Sequence, residues 1–242
     1  MTFLGIASAA ADLLWTPRCA ACDAPIAYEG ADLERAAFCE ACASSLDRAL
    51  SPRCPRCGLS FEVRGRDHLC GRCLADPPPF ESLAARYAYG GALSDAITRF
   101  KYGPAPWLAA PLARLMAESF APPGPVDLVV PVPLHPKRLR ERGFNQAALL
   151  ARWIPRAAGA PLDTACLRRE IDTPHQAGLT AARRLDALAG AFRARPRERL
   201  RGARVLLVDD VATTTATVRA AAAALLFAGA GAVSVQCLAR TM

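Results

Sequence analysis

Near its C-terminus the chain reads "RVLLVDDVATTTATVRAAAAALL" from Arg204. An apolar run ends on two adjacent carboxylates, Asp209 and Asp210. Four threonines follow, Thr213, Thr214, Thr215 and Thr217, and then a helical pattern. Carboxylates repel anions, whereas hydroxyls and the free N–H groups at a helix start attract them. A ligand that carries a phosphate at one end and a ribose diol beside it satisfies both. The run Val211, Ala212, Thr213, Thr214, Thr215, Ala216 and Thr217 then binds the phosphate, and the acidic pair accepts hydrogen bonds from the sugar.

The second chemically capable group is cysteine. Eight of the ten cysteines form four CxxC pairs: Cys19 and Cys22, Cys39 and Cys42, Cys54 and Cys57, Cys70 and Cys73. Two thiolates at this spacing hold one face of a tetrahedral zinc ion, and two such turns complete a closed site. The intervals suit two sites in sequence, the first two pairs together and then the last two, with an interleaved pairing as the alternative. Closed four-cysteine sites are structural and leave no position for substrate. His68 reads as a solvated loop residue. Cys166 and Cys237 sit in apolar segments and read as small core residues.

Stepping from these residues to the elements that must place them, the 242-residue chain is 52% apolar and long enough for a substantial core. Its net charge is +8, carried almost wholly by arginine, with Lys101 and Lys137 the two lysines. Such a surface suits phosphates, nucleotides or nucleic acid. No stretch approaches the roughly 18 continuous apolar residues of a membrane span. "MTFLGIASAAADLLW" lacks an early basic residue and is broken by Asp12, so it reads as an amphipathic helix rather than a signal peptide. The expected location is cytoplasmic, without membrane insertion.

Prolines in "ADPPPF" mark a boundary. Residues 1–76 are expected to form an N-terminal helix with a double zinc-ribbon module, and residues 80–242 a second domain. In that domain "SLAARYAYGG" reads as a strand and turn, "ALSDAITRFKYG" and "APWLAAPLARLMAESF" as helices. Then apolar and helical patterns alternate: strand "DLVVPVP", helix "NQAALLARWIPRAAG", weaker strand "LDTACLRR", helical "LTAARRLDALAG", short strand "AFRAR", strand "RVLLVDDV", helix "TATVRAAAAALLFAG" and strand "AVSVQCLA". This alternation predicts an α/β fold, a parallel sheet with helices on both faces, binding at the carboxyl ends of its strands.

The stretch "VLLVDDVATTTAT" resembles the motif by which type I phosphoribosyltransferases bind 5-phosphoribosyl-1-pyrophosphate (PRPP). That family usually has glycine where this chain has Thr215. A β-branched residue there implies either ordinary backbone angles or weaker phosphate binding. Taken in order, the four CxxC pairs, "FKYG", "PVPLHPKRLRERGFNQAALLAR", "TPHQAGLTAARR" and the PRPP motif resemble the ComF-type family, competence-associated phosphoribosyltransferase-like proteins. The resemblance covers nearly the whole chain. That family tends to have asparagine three residues after the arginine matching Arg184, where this chain has Ala187.

The resemblance implies a type I phosphoribosyltransferase-like sheet. It places a pyrophosphate loop after the first sheet strand, with Lys137, Arg138, Arg140, Arg142 and Gly143. Asn145 would then cap a helix, and His135 would satisfy a turn. A mobile loop would carry Gln176, Arg183 and Arg184, with His175 beside them. Mg²⁺ would accompany PRPP, alongside two structural zinc ions. Turnover would be displacement at ribose C1 with pyrophosphate leaving, with Asp209 and Asp210 as the catalytic residues that orient the ribose.

Two other function classes fit the same residues. One is a non-catalytic sensor of PRPP or a nucleotide. The other is a single-stranded DNA adaptor in DNA uptake, partnered by an uptake or recombination protein. Single-strand binders usually present stacking aromatics, and Phe38, Phe61, Tyr87 and Tyr89 are expected to be the exposed ones.

Overall fold

The protein is described by a computed structural model that covers residues 17–26, 30–120, 122–154, 159–172 and 190–242. The N-terminal helix expected before Trp15 lies outside these residues. So do His175, Gln176, Arg183, Arg184 and Ala187.

Four strands form one parallel sheet: β1 (Leu83–Ala88), β2 (Leu128–Pro131), β5 (Arg204–Ala212) and β6 (Ala232–Arg240), in the order β1-β6-β5-β2. The strands are apolar on both sides because both sides are covered. Alternate residues divide between two cores. Val129, Leu206, Val208 and Leu238 face one, and Leu128, Val130, Val205, Leu207, Val233 and Val235 face the other.

The first core is closed by α4 (Gly91–Tyr102), α5 (Ala109–Ala117) and α7 (Gln146–Ala151), through Leu93, Ile97, Phe100, Leu112, Leu115, Met116 and Leu150. The second is closed by α8 (Ala216–Phe227), whose Val218, Ala221, Ala222 and Leu225 are buried. The parallel α/β sheet with helices on both faces is therefore present.

Two expectations change. β1 joins the sheet at its edge, so the basic segment follows the second sheet strand in chain order, not the first. "LDTACLRR" does not form one strand. Leu162 makes a single parallel bridge to Val129, and the chain then leaves the sheet. Leu167–Arg169 (β3) pairs antiparallel with Phe192–Ala194 (β4) as a separate two-stranded ribbon. The Asp163 carboxylate causes the break: it accepts from the N–H groups of Ala165 and Cys166, 2.8 and 2.9 Å away, and turns the backbone.

The cysteine-rich segment folds around three short helices, α1 (Leu33–Ala37), α2 (Glu40–Ser44) and α3 (Gly71–Ala75). Its first half shares the core under α4 and α5, since Cys19, Ile26 and Phe38 are buried there. Glu34 of α1, itself buried, accepts from Tyr87 on β1 at 2.8 Å and from Arg48 at 2.8 and 2.6 Å. The linker between the two halves runs along β1, with Ala49 N–H to Arg86 O and Ala88 N–H to Asp47 O.

Candidate functional site

The sulfur atoms cluster as the spacing predicts. Cys19, Cys22, Cys39 and Cys42 converge on one point, Cys54, Cys57, Cys70 and Cys73 on another, and within each group every Sγ lies within 4.8 Å of the others. Cys22 and Cys39 are 3.7 Å apart, as are Cys57 and Cys70. A tetrahedron with Zn–S bonds of about 2.3 Å has edges of about 3.8 Å, so both groups fit that ion. The protonation pattern agrees. Burial opposes ionisation of Cys19 and Cys54, yet backbone N–H groups aimed at their sulfurs bring both down to about 7. Burial and the neighbouring sulfurs drive Cys42 and Cys73 the other way. Four clustered thiols cannot all be thiolates unless a cation sits among them. The two clusters are two structural zinc sites.

His68 is exposed and stacks on Phe61, ring centroids 4.1 Å apart, outside the second cluster. Cys166 and Cys237 are buried in the apolar core.

The acidic pair and the threonine turn stand where the sheet topology makes a crevice. The connection after β2 runs outward to Leu162, and the one after β5 runs the opposite way, to β6. Connections that diverge from adjacent parallel strands leave an opening at their carboxyl ends, the usual ligand position in such sheets. Asp209 and Asp210 line the β5 side.

Asp210 is buried. Its Oδ2 lies 2.9 Å from Lys101 Nζ at the end of α4, and its Oδ1 accepts from Val211 N–H at 2.7 Å. Asp209 Oδ1 accepts from Asp210 N–H at 2.9 Å. Burial, then the adjacent Asp210 charge, pushes the Asp209 carboxyl up to about 7. Lys101 is held protonated: burial works against its charge, and Asp210 more than compensates.

Thr215 precedes α8 with φ 64° and ψ 0°. The turn therefore keeps the left-handed geometry that glycine would supply, and the alternative of ordinary backbone angles is excluded. A β-branched residue pays roughly 1–2 kcal/mol for that conformation. Its hydroxyl makes no capping hydrogen bond to α8.

Across the crevice, the basic segment after β2 is a short helix, α6 (Pro136–Arg142), rather than an open loop. His135 caps its start by accepting from Lys137 N–H at 3.3 Å. Gly143 ends it at φ 78°, a conformation that favours glycine. Asn145 caps α7 and donates to Val132 O at 3.0 Å. Arg142 turns toward α4: it donates to Tyr102 Oη at 3.2 Å, lies 4.9 Å over that ring, and donates to Gln146 Oε1 at 3.1 Å. Arg138 and Lys137 approach Asp172 at 3.5 and 3.8 Å, and Arg140 is exposed.

Three participants were not picked out from the sequence: Lys101, Asp172 and Arg169. Burial depresses the Arg169 pKa, and the charges of Arg138, Asp209, Asp172 and Arg142 all bear on it. The lysine of "FKYG" is the sequence signal for Lys101.

The aromatic expectation fails in part. Phe38 and Tyr87 are fully buried, because the first zinc cluster packs over α4 and β1. Tyr89 is exposed and Phe61 half-buried. Phe227, Tyr102 and Trp107 are the prominent exposed rings, at 96%, 64% and 58%.

No helix among the described residues is long and apolar enough to cross a membrane.

A family model described as a double zinc ribbon domain matches residues 10–74. The DNA utilization protein YhgH of Salmonella typhi is 36% identical over 93% of this chain and 97% of its own length. Competence protein F of Haemophilus influenzae is 33% identical over 69% of this chain and 75% of its own. Competence protein ComFC of Bacillus subtilis is 28% identical over 79% and 78%. Among solved structures, the allosteric regulatory enzyme of purine biosynthesis is 20% identical, with a TM-score of 0.39, over 58% of this chain and 29% of that one. So slight a likeness carries no weight.

Proposed function

The chain belongs to the ComF-type family of competence and DNA-utilization proteins, and from that premise we propose that it binds PRPP or a related ribose-phosphate ligand, accompanied by Mg²⁺, in a role linked to DNA uptake. The observation that supports this most is the placement of Asp209 and Asp210 beside a threonine turn that opens α8, at the crevice between β2 and β5.

Each side of the crevice has a part in this reading. The N–H groups of the turn and the hydroxyls of Thr213, Thr214 and Thr217 hold the 5-phosphate. Asp209 and Asp210 orient the ribose hydroxyls. Lys137, Arg138, Arg140 and Arg142 stand after β2, where a pyrophosphate group would extend. The carboxylate oxygens suit Mg²⁺, which keeps its waters and binds through one or two carboxylates plus the ligand's phosphates. That ion would neutralise pyrophosphate oxygens. Asp209, held near neutrality by burial, ionises readily once positive charge arrives. Residues 1–76 are proposed as the zinc-ribbon module and 80–242 as the ligand domain, with the zinc ions serving structure.

Calorimetric titration of the zinc-loaded protein with PRPP and Mg²⁺ tests the reading. The expected result is saturable binding that an Asp209→Asn/Asp210→Asn double variant loses. Absence of binding to the wild-type protein would overturn it. Release of pyrophosphate on adding candidate bases would separate turnover from sensing.

A further inference from the structure

Two arginines reach from the α/β domain to the backbone of the two zinc knuckles. Arg99 donates to Cys19 O and Ala20 O at 2.8 and 3.0 Å, and to Asp23 Oδ1 at 2.5 Å. Arg240, at the end of β6, is buried, and its Nε donates to Cys57 O at 3.1 Å. The other side of the same guanidinium, through Nη1, donates to Ala212 O at 3.0 Å, to Thr213 O, and to Thr241 O at 2.6 Å. One rigid, planar group therefore joins a ligand residue of the second zinc site to the two residues that open the threonine turn.

Two further contacts press the second cluster against the same region. Arg219, one turn into α8, donates to Asp76 O and Asp76 Oδ2 at 3.2 and 2.5 Å, just beyond Cys73. Gly58, beside Cys57, packs so near β1 that a Cβ would stand 2.8 Å from Leu83 O, and its φ is 68°. The second knuckle is thus fixed to the sheet, to the first turn of α8 and to the turn itself. The first knuckle is fixed to α4, the helix that carries Lys101.

We propose that Arg240 is a positioning residue through which the second zinc site sets the shape of the phosphate-binding turn. Thr215 makes such support necessary. A left-handed β-branched residue persists only where its surroundings over-determine it, and carbonyls held from behind leave the N–H groups of the turn pointing into the crevice. Loss of zinc from the second site by chelation then loosens Cys57 and through it residues 212–215. The first site reaches the turn less directly, through Arg99, α4 and the Lys101–Asp210 pair. The ligand consequence rests on the ribose-phosphate reading above; the mechanical one does not.

Hydrogen exchange of the full-length, zinc-loaded protein at the amides of residues 213–217 reads the mechanical part. Arg240→Met and a Cys70→Ser/Cys73→Ser pair should speed exchange there by about tenfold, the scale of losing hydrogen bonds from a charged donor. Arg240→Lys should restore part of the protection, because an ammonium reaches some of the same carbonyls. A Cys39→Ser/Cys42→Ser pair, which empties the first site, should speed exchange in the turn less than about threefold, since it acts there only through α4 and the Lys101–Asp210 pair. If Arg240→Met does not fold, Arg240→Lys and the cysteine pairs carry the comparison.

Titration with ribose 5-phosphate and with inorganic pyrophosphate, separately, reads the ligand part. Loss of Arg240 should weaken the former by about tenfold and the latter less than about twofold, since only the former uses the turn. Unchanged exchange on emptying the second site, or equal loosening on emptying the first, overturns the proposal. Exchange that couples as described, in a protein that binds neither probe, upholds the proposal and overturns the ligand reading instead.

Discussion

Lys101 Nζ stands 2.9 Å from Asp210 Oδ2, and both side chains are largely buried. The acidic pair therefore carries a resident cation supplied from α4. Removing one member of a buried ion pair costs more than the pair contributes, because the other charge is left without compensation. Lys101→Met should destabilise the protein by about 2–3 kcal/mol in denaturant unfolding, and Asp210→Asn added to it should recover at least about half of that loss. Equal and additive losses in the two single variants would show that the contact carries no coupling.

Asp209 gives the site a pH dependence. Its folded-state pKa is raised, to about 7, so the folded protein holds a proton that the unfolded chain releases near the ordinary carboxylate value. Stability consequently falls as pH rises from about 4 to about 7, and the full cost is present above that. Asp209→Asn should therefore be more stable than wild type at pH 8, by about 1–2 kcal/mol, with the gap vanishing near pH 4. Cationic ligands should also bind wild type more tightly as pH rises through 7, with proton uptake by the buffer visible in calorimetry, and Asp209→Asn should lose that slope.

Thr215 holds φ 64° where a β-branched side chain is strained. Thr215→Gly removes the strain and adds some freedom to the unfolded chain. The net expectation is a gain of about 0.5–1 kcal/mol in thermal or denaturant unfolding. Thr215→Ala should fall between the two, as alanine still has a Cβ but is not branched. A loss of stability in Thr215→Gly would mean that the buried threonine side chain contributes more by packing than its backbone costs.

The parallel sheet, the helix after β5 and the cysteine pairing were legible because periodicity and spacing are local properties of the chain. The Lys101–Asp210 contact was not, since it joins residues that only the packing of α4 on the sheet brings together. Phe38 and Tyr87 carry no local mark of burial in the sequence. Their burial comes from the first zinc knuckle folding over β1 and α4, a long-range event with no periodic trace. Asp163 shows the opposite case: a single short side chain diverts a strand-like run out of the sheet, where the apolar pattern alone predicts continuity. At Thr215 the sequence is compatible with two backbone conformations, because the residue type opposes what the turn requires.

Glu34 ties the first zinc cluster to the sheet, and its charge is tuned for that task. Hydrogen bonds from Arg48 chiefly, with one from Tyr87 and the charge of nearby Arg86, outweigh burial and hold its carboxyl below the ordinary range. A depressed carboxyl contributes stability that is present above the unfolded-state value and lost as pH falls through the folded one. Glu34→Gln should therefore cost about 1–2 kcal/mol at pH 7, leaving Arg48 without its partner carboxylate. The difference from wild type should begin to shrink as pH falls below the ordinary carboxylate value and vanish once pH passes the lower folded-state value, where Glu34 itself protonates. Tyr87→Phe should cost less, about 1 kcal/mol, because it removes one donor and leaves both charges paired. A negligible loss in Glu34→Gln at pH 7, measured by denaturant midpoints on zinc-loaded protein, would show that α1 is held to β1 by its apolar contacts and not by this carboxylate.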